Sequence, residues 1–315
     1  MTNLKTITHP LIDEVATRMR AQLDGNPAAL IASLEQQLQI GENLTRPTLT
    51  LLFGNLFGLE QNTMIDIAAS IEMLHQAKLV HDNLGNQSFS QIPKTPFITS
   101  ATVLAGDLAF AAAARLATAP QSTTVMRIFS ETLQMMVSGE ITYMFQNGSG
   151  FEPDSYYRRI HAQTASLFEL ACQATAILAA MDEETINAAR QFGYEMGMAF
   201  QIVDDVLDFT GDPEVMGKPT GNDLRQGTLT LPTLYYLEAN PNDPDLDSII
   251  RRNGHSQDSI KRVIKAIRQS EAITLAQQEA QRFLEQGLRA LYQLPDRPAR
   301  AKLEQLAIQM INRNR

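Results

Sequence analysis

The sequence contains a single cysteine, Cys172, which lies in the apolar run "FELACQATAIL". One thiol excludes an intrachain disulfide framework, and a chain without disulfides is typical of a reducing, cytoplasmic setting. Because the neighbours of Cys172 are apolar, the sequence predicts a small buried thiol rather than a catalytic nucleophile.

Basic residues are also scarce, since 26 Lys and Arg stand against 35 Asp and Glu and give a formal net charge of −9. Without a basic stripe to displace phosphate counterions, the composition excludes a nucleic-acid partner. The chain has no run of about 18 apolar residues, the length that a membrane-spanning helix needs. The stretch "MTNLKTITHPLIDEV" has no apolar core of signal-peptide length. We therefore expect a cytoplasmic protein with no transmembrane segment.

Strand patterns are nearly absent, because Val and Ile recur at helical spacing rather than alternating with polar residues. Hydrophobic residues make up 44% of the chain and charged residues 19%, a composition that supports a large core. No break has the composition of an interdomain linker, so we interpret residues 1–315 as one all-α domain, a single large helical bundle. The predicted helices cover residues 10–23, 27–39, 46–57, 61–83, 100–118, 122–147, 153–180, 182–209, 228–238, 246–251, 256–268, 270–293 and 296–313.

The run "FQIVDDVLDFTGD" at 200–212 ends an apolar helix in a group of acids. Asp204, Asp205 and Asp208 fall within about one helical turn, and Asp208 shares a helix face with Asp204 at i, i+4 and with Asp205 at i, i+3. Carboxylates this close repel one another unless a cation lies between them, and Mg²⁺ prefers such oxygen ligands while it bridges to substrate phosphates. The alternative interpretation is a solvated acidic helix end. Lys218, in the glycine-rich segment that follows, is either a phosphate contact or a surface lysine.

The segment "AFQIVDDVLDFTGDPEVMGKPTGNDLRQGTLTLP" resembles the second aspartate-rich region of the trans-isoprenyl diphosphate synthases, which elongate allylic diphosphates with isopentenyl diphosphate. "GENLTRPTLTLL", "IEMLHQAKLVHDN", "VLAGDLAFAAA", "SGEITYM" and "YRRIHAQTASLFELAC" are similar to further segments of that family. The resemblance implies an all-α isoprenoid-synthase fold around a central cavity, usually dimeric. It also implies a trinuclear Mg²⁺ site between two acidic helix ends, with catalytic roles for Gln201 of the FQ pair and Thr164 of the KTA segment.

The first aspartate-rich motif departs from the family pattern, because it reads Asp82, Asn83, Leu84, Gly85 and Asn86. It keeps one carboxylate where the family has three. Asn86 still offers a neutral oxygen to Mg²⁺, but the loss of charge is expected to lower the affinity sharply.

Several phosphate-binding cations of the family are also replaced. In the GGKRxRP segment, Asn43 and Leu44 replace a lysine and an arginine, and only Arg46 matches. Gln163 stands at the KTA lysine and Thr228 at the second lysine of the GKxT segment. Each lost charge-assisted contact is worth roughly 1.5–3 kcal/mol, so together these changes predict weakened chain elongation. The candidate substrate-binding residues are Arg46, Lys218, Lys78 and Gln163.

Lys78 lies four residues before Asp82, on the same helix face and one turn deeper. The resemblance places this position on the wall of the hydrophobic tunnel, where side-chain bulk sets the product length. Because a buried ammonium needs a partner, we predict an ion pair between Lys78 and Asp82 that closes the tunnel. In the alternative, Lys78 extends along the helix flank into solvent.

Three functions remain open. The first is an impaired homologue that acts as a regulatory or structural subunit, as a homodimer or as a heterodimer with an active prenyl synthase. The second is an active Mg²⁺-dependent prenyltransferase, and the third is a class I terpene cyclase that ionises one prenyl diphosphate. The ligand is accordingly a prenyl diphosphate or none. The candidate catalytic residues are Asp82, Asp204, Asp205, Asp208, Gln201 and Thr164, and the candidate metal ligands are Asp82, Asn86, Asp204, Asp205 and Asp208.

Overall fold

The computed structural model describes residues 10–26, 44–85, 96–145, 153–212, 219–250 and 256–313, apart from the side chains at 83–85, 96–99 and 101. Every regular element in these ranges is a helix, so the prediction of an all-α fold is confirmed. In chain order the elements are α1 (Ile12–Ala21), α2 (Thr45–Phe57), α3 (Gln61–Gly85), α4 (Pro96–Thr118), α5 (Thr123–Phe145), α6 (Pro153–Ile160), a π-helical turn (His161–Ala165), α7 (Ser166–Leu178), α8 (Glu183–Thr210), α9 (Asn222–Arg225), α10 (Leu231–Ala239), α11 (Pro244–Ile250), α12 (Gln257–Gln269), α13 (Ala272–Leu291) and α14 (Pro298–Ile311).

Most predicted helices are present, with ends shifted by a few residues. The helix predicted over 153–180 is interrupted, because His161–Ala165 forms a π-helical turn between α6 and α7. A π turn adds one residue to the helical repeat, and a search for 3.6-residue periodicity has no signal for it. The short helix α9 was not predicted, and the helix predicted over 27–39 lies outside the described residues.

The chain folds into two compact units, of which the first comprises residues 1–134, 167–193 and 291–306. Within it, α3 packs against α1, α2 and α4. Ile65, Ala68, Ile71 and Leu74 of α3 are all buried, so this helix lies in the core of the unit. The rings of Phe53 and Phe192 lie 5.5 Å apart in the core of this unit.

The second unit comprises residues 135–166, 194–290 and 307–315. One apolar cluster joins the C-terminal half of α8 to α6, α10 and α13. A second cluster gathers Phe209, Leu224 and the buried face of α12. The acidic end of α8 therefore rests on packed helices of its own unit, while the interpretation of residues 1–315 as one domain stays a prediction.

Two further predictions concern the burial of Cys172 and the hydropathy of the helices. Cys172 is fully buried, as predicted, and burial raises the pKa of its thiol well above the usual value. None of the helices in the described part of the chain combines the length and the hydropathy needed to cross a bilayer.

Candidate active site

The first acidic helix end is the C-terminal part of α3. Asp82 forms an ion pair with Lys78, one turn earlier on the same helix, which confirms the predicted pair. The Lys78 side chain is 16% exposed and that of Asp82 29%, so the pair is partly buried. The carboxylate at this position is thus neutralised by the chain itself. Asn86, a candidate metal ligand, lies outside the described residues.

Arg46 lies deeper in the same unit, at the start of α2. Its Nε lies 3.1 Å from Oε2 of Glu72, and both side chains are buried. Gln76 donates a further hydrogen bond of 2.7 Å to Oε1 of Glu72. The guanidinium is therefore bound to a carboxylate of the chain, and its contact with a diphosphate stays a prediction.

Two histidines flank this helix end. Burial, followed by the charges of Arg46 and Lys78, holds the pKa of His75 well below its usual value. Nε2 of His81 lies 3.2 Å from the carbonyl oxygen of Val103. His81 is thus hydrogen-bonded to the neighbouring helix α4.

The second acidic helix end is the C-terminal part of α8, and there a chain of hydrogen bonds leads to Asp205. The Thr164 hydroxyl donates to Oε1 of Gln201 over 2.7 Å, and Nε2 of Gln201 donates to Oδ1 of Asp205 over 2.8 Å. The Tyr156 hydroxyl donates to Oδ2 of Asp205, also over 2.8 Å. The structure thus brings three of the predicted catalytic residues, Thr164, Gln201 and Asp205, into one network.

The electrostatics of Asp205 differ from those of an exposed aspartate. Burial, followed by the charge of Asp223, raises the pKa of Asp205 from 3.8 to about 7, although Arg159, Gln201 and Tyr156 act in the opposite direction. Burial also raises the pKa of Tyr156 well above its usual value. A carboxyl group with a pKa near neutrality is characteristic of functional sites.

Asp204, the neighbour of Asp205, points to a different partner. It forms an ion pair with Arg313, near the C-terminus. Arg313 also donates a hydrogen bond of 3.1 Å to the carbonyl oxygen of Phe200, and its guanidinium carbon lies 3.9 Å from the centroid of the Phe200 ring. A cation of the chain is therefore held against the acidic motif by three separate contacts.

Asp208 completes the acidic set and connects it to the loop that follows. Its Oδ2 accepts a hydrogen bond of 3.2 Å from the backbone N–H of Asp223, and its carbonyl oxygen accepts one of 2.7 Å from Gly221. Asp205 and Asp208 are 3% and 2% exposed. The alternative of a solvated acidic helix end is therefore wrong for these two residues.

Gln163, at the position of the family lysine, donates a hydrogen bond to Glu140 of α5. Thr228, at another replaced lysine, lies 2.9 Å from the hydroxyl oxygen of Tyr143. Both replacements are thus hydrogen-bonded within the chain. Lys218 lies outside the described residues.

The donor set at the end of α8 fits a magnesium ion chemically. Mg²⁺ takes hard oxygen ligands, and Asp204, Asp205 and Asp208 supply carboxylates within about one turn. The raised pKa of Asp205, caused partly by the charge of Asp223, reports a repulsion that a divalent cation relieves. Among the residues that the structure describes, no three His, Cys, Asp or Glu side chains converge on a common metal position.

Sequence reasoning missed three residues of the second acidic end. Arg159 stacks against the rings of Tyr143 and Tyr156, at 5.1 and 5.6 Å from their centroids. Tyr156 donates to Asp205, and Arg313 pairs with Asp204. Arg159 lies within the segment "YRRIHAQTASLFELAC" quoted above, and Tyr156 directly precedes it, so the segment was a usable signal. Arg313 offered none, because no local pattern relates it to a carboxylate more than a hundred residues earlier.

Comparisons with known proteins give a consistent result. A model of the polyprenyl synthetase family matches residues 27–267. The chain is 30% identical over 308 residues to the octaprenyl diphosphate synthase of Escherichia coli (strain K12), an alignment that covers 92% of this chain and 95% of that protein. It is 32% identical over 278 residues to the heptaprenyl diphosphate synthase component 2 of Bacillus subtilis (strain 168), covering 86% of this chain and 78% of that protein.

Solved structures agree with these matches. The polyprenyl synthase from Caulobacter crescentus CB15, in complex with calcium and isoprenyl diphosphate, superposes with a TM-score of 0.88 at 27% identity, covering 96% of this chain and 95% of that one. The heptaprenyl diphosphate synthase from Staphylococcus aureus gives a TM-score of 0.88 at 27% identity, covering 99% of each chain.

Proposed function

Because the chain belongs to the polyprenyl synthetase family, we propose that it acts as a weakly elongating or non-elongating subunit that associates with an active prenyl synthase. The observation that carries this proposal is the ion pair between Lys78 and Asp82. The first acidic motif has a single aspartate, and the chain's own ammonium neutralises it. That carboxylate is then a poor ligand for a metal–diphosphate complex.

The chemistry of the family explains why this matters. Ionisation of an allylic diphosphate places negative charge on the departing group, and Mg²⁺ supplies the charge stabilisation when it is bound. In this chain, Asp204, Asp205 and Asp208 are the proposed ligands of that ion. Gln201, itself held by Thr164, orients Asp205 through the hydrogen bonds described above.

The cations of the chain support the same proposal. Arg46 is held by Glu72, and Arg313 is held by Asp204. Gln163, in place of the family lysine, donates to Glu140 and carries no charge for a phosphate. The proposal therefore assigns metal binding to the acidic end of α8 alone. It predicts that a prenyl diphosphate binds only weakly.

An exposed apolar face supports association with another chain. Val137, Ile141, Met144 and Phe145 of α5 follow one another at helical spacing, and Phe145 is 79% exposed. Large exposed apolar side chains on one helix face mark an interaction surface. Two relatives are named as component 2 of a heptaprenyl diphosphate synthase, a name for one part of an enzyme with more than one component. We propose a prenyl synthase with both acidic motifs complete as the partner, in the cytoplasm.

The second candidate is an active synthase. It is favoured by the identity of 30% to a named octaprenyl diphosphate synthase over nearly the whole chain. Under this candidate, Asp82 leaves Lys78 when substrate binds, and Asp204, Asp205 and Asp208 carry most of the metal binding.

One assay separates the candidates. The purified chain is incubated with Mg²⁺, isopentenyl diphosphate and each allylic diphosphate, alone and together with a polyprenyl synthetase from the same genome that has both acidic motifs complete. We expect little product from the chain alone, and a stable complex with altered product length. Elongated product from the chain alone, lost in the Asp205→Asn variant, would establish the second candidate. A hydrocarbon or alcohol from one diphosphate would establish a terpene cyclase.

Two variants sharpen this assay. Lys78→Ala/Asn83→Asp/Asn86→Asp restores the charge of the first motif, and we expect it to gain elongation activity. Asn83→Ala/Asn86→Ala is the matched control and leaves activity low. Ile141→Glu is expected to weaken the complex without changing metal binding, since it alters only the exposed face of α5.

A further inference from the structure

A cavity of about 340 Å³ opens on the second unit, and none of the acidic residues of α8 lines it. One wall is the turn that contains Thr220 and Arg225, and the other is α12. Cavities of this size are at the lower end of small-molecule sites. Its full lining consists of Thr220, Arg225, Lys261, Ile264, Lys265, Arg268 and Gln269.

The charge of this cavity is opposite to that of the chain. Four of its lining residues are cations, whereas the chain as a whole carries −9. Lys261, Lys265 and Arg268 follow one another at i, i+4 and i+7 on α12, which places them on one helix face. Arg225 faces them from the opposite wall. Like charges gathered in this way repel one another unless an anion lies between them.

The cavity has a rigid base. Gly221 has a φ of +67°, and a Cβ at this position would lie 2.3 Å from Cδ1 of Ile264. Only glycine accommodates both the left-handed backbone and this close approach. Ile264 belongs to the buried cluster of Phe209, Leu224 and Ile260. The turn that carries Arg225 is therefore fixed directly against the helix that carries the other cations.

Other residues of the chain compensate only part of the positive charge of this cavity. Lys261 lies 3.6 Å from Asp258, an exposed pair with little energetic weight. Arg225 donates to Oε1 of Gln257 over 2.8 Å and to the carbonyl oxygen of Thr220 over 3.4 Å, both neutral acceptors. Within the ranges that the structure describes, no carboxylate pairs with Lys265 or Arg268.

We propose that this cavity is a binding site for a phosphate or diphosphate group. Arginine binds phosphate oxygens in a bidentate manner and lysine binds them as a point charge, and both types line the cavity. Ile264 and the lysine stems offer apolar surface for an organic substituent, so the phosphate is free or belongs to an amphiphile such as an anionic lipid. The site shares no residue with the acidic end of α8, and its test is therefore independent of the function proposed above.

The test is calorimetric titration of the full chain with inorganic diphosphate at low ionic strength, in the presence of EDTA so that no metal-dependent site contributes. The cavity variant is Lys265→Glu/Arg268→Glu. The matched control is Arg289→Glu/Lys302→Glu, which makes the same charge change at two exposed positions outside the cavity. We expect saturable binding that is weakened at least about tenfold in the cavity variant and remains close to wild type in the control.

Chemical footprinting provides a second measurement on the unaltered protein. Acylation of lysines by an N-hydroxysuccinimide ester, read by mass spectrometry, is expected to slow at Lys261 and Lys265 when diphosphate is added, and not at Lys302. Equal protection of Lys302 would overturn the proposal, because it would report general ion binding. This readout does not depend on the folding of a variant.

Vesicle sedimentation distinguishes the two sources of the phosphate. Vesicles of phosphatidylcholine with and without phosphatidylglycerol are compared for the wild type, the cavity variant and the control. Binding to the anionic vesicles alone, lost in the cavity variant, assigns the phosphate to a lipid, whereas saturable diphosphate binding without vesicle binding assigns it to a free ion. Absence of both, or equal losses in the cavity variant and the control, would overturn the proposal.

Discussion

The two acidic helix ends differ in how other residues of the chain compensate the charge of their carboxylates. At the end of α3, Asp82 takes its cation from Lys78, four residues earlier in the same helix. At the end of α8, Asp204 forms an ion pair with Arg313, which lies 109 residues later in the chain. Asp205 accepts hydrogen bonds from Gln201 and Tyr156. The first solution is local and involves one carboxylate. The second is long-range and involves three carboxylates with different partners.

This difference indicates which of the two acidic helix ends is better suited to bind a cation. An i, i+4 pair needs only the helix to form, so Asp82 has a cation beside it as a consequence of local geometry. Asp205 and Asp208, in contrast, are buried and accept hydrogen bonds from uncharged donors, which orient the carboxyl groups without pairing them with a cation. A divalent cation therefore gains more at the second end than at the first.

The largest expected effect is on the free energy of unfolding and concerns Arg46. A structural role of Arg46 predicts a large loss of stability when it is replaced, whereas a role in substrate binding alone does not. Replacing one partner of a buried ion pair leaves the other charge unpaired, so Arg46→Met is expected to lower the free energy of unfolding by about 3–5 kcal/mol. The measurement is urea denaturation. The control Arg46→Met/Glu72→Met removes both charges and is expected to recover most of the loss. An unchanged stability in the single variant would contradict the structural role.

Metal binding tests the comparison directly. Asp205→Asn removes a carboxylate of the second end and is expected to weaken Mn²⁺ binding, measured by electron paramagnetic resonance, by about tenfold or more. Asp82→Asn is the matched variant at the first end and is expected to leave the affinity nearly unchanged, because Lys78 already neutralises that carboxylate. Equal losses in the two variants would show that both ends bind the metal.

The pH dependence of stability follows from the raised pKa of Asp205. Its pKa is about 7 in the folded chain against 3.8 as the reference value, so the folded state holds a proton that the unfolded state has lost over this range. This contribution is fully present below about pH 4 and is lost as the pH rises towards 7. We expect the melting temperature in EDTA to fall between about pH 4 and pH 7, and to fall less in Asp205→Asn. The same slope in both proteins would contradict this assignment.

Loss of the C-terminal cation is expected to have a smaller effect. Arg313→Met removes an ion pair, a backbone hydrogen bond and the stacking on Phe200, and we expect a loss of about 1–2 kcal/mol in the free energy of unfolding. Arg313→Lys keeps the charge without the planar group, and is expected to fall between the wild type and Arg313→Met. If Arg313→Met left the stability unchanged, the three contacts would have no energetic weight.

The smallest effect is expected at the first end. Lys78→Met breaks an i, i+4 pair that is partly exposed, so the free energy of unfolding should change by less than about 1 kcal/mol. Urea denaturation beside Arg313→Met provides the comparison. A loss larger than that of Arg313→Met would reverse the order of the two ends.

Periodicity and spacing were sufficient for the fold and for part of the site. The helical spacing of apolar residues predicted the helix over 61–83, and the i, i+4 relation predicted the pair of Lys78 and Asp82. Both depend on local geometry, which a sequence displays directly. The close spacing of Asp204, Asp205 and Asp208 on one helix could be predicted from the sequence for the same reason.

The contacts that sequence reasoning missed are those between distant segments. Arg46 and Glu72 are 26 residues apart, and Arg313 and Asp204 are 109 residues apart. Nothing in a helical pattern selects one arginine from many as the partner of a given carboxylate. Glu72 did offer a weak signal, since an acid within the apolar run "IAASIEML" needs a buried cation. The π turn at 161–165, which contains Gln163 and Thr164, has no sequence signature of its own.

The burial of Cys172 has a practical consequence for spectroscopy. Because the only thiol of the sequence is inaccessible and has a raised pKa, maleimide and methanethiosulfonate reagents react with it slowly. A cysteine introduced at an exposed position, such as Lys302→Cys, therefore becomes the sole labelling site without removal of the native one. The wild-type protein is thus a ready background for spin labels and fluorophores, and distance measurements between two introduced labels can follow how the chain responds to diphosphate.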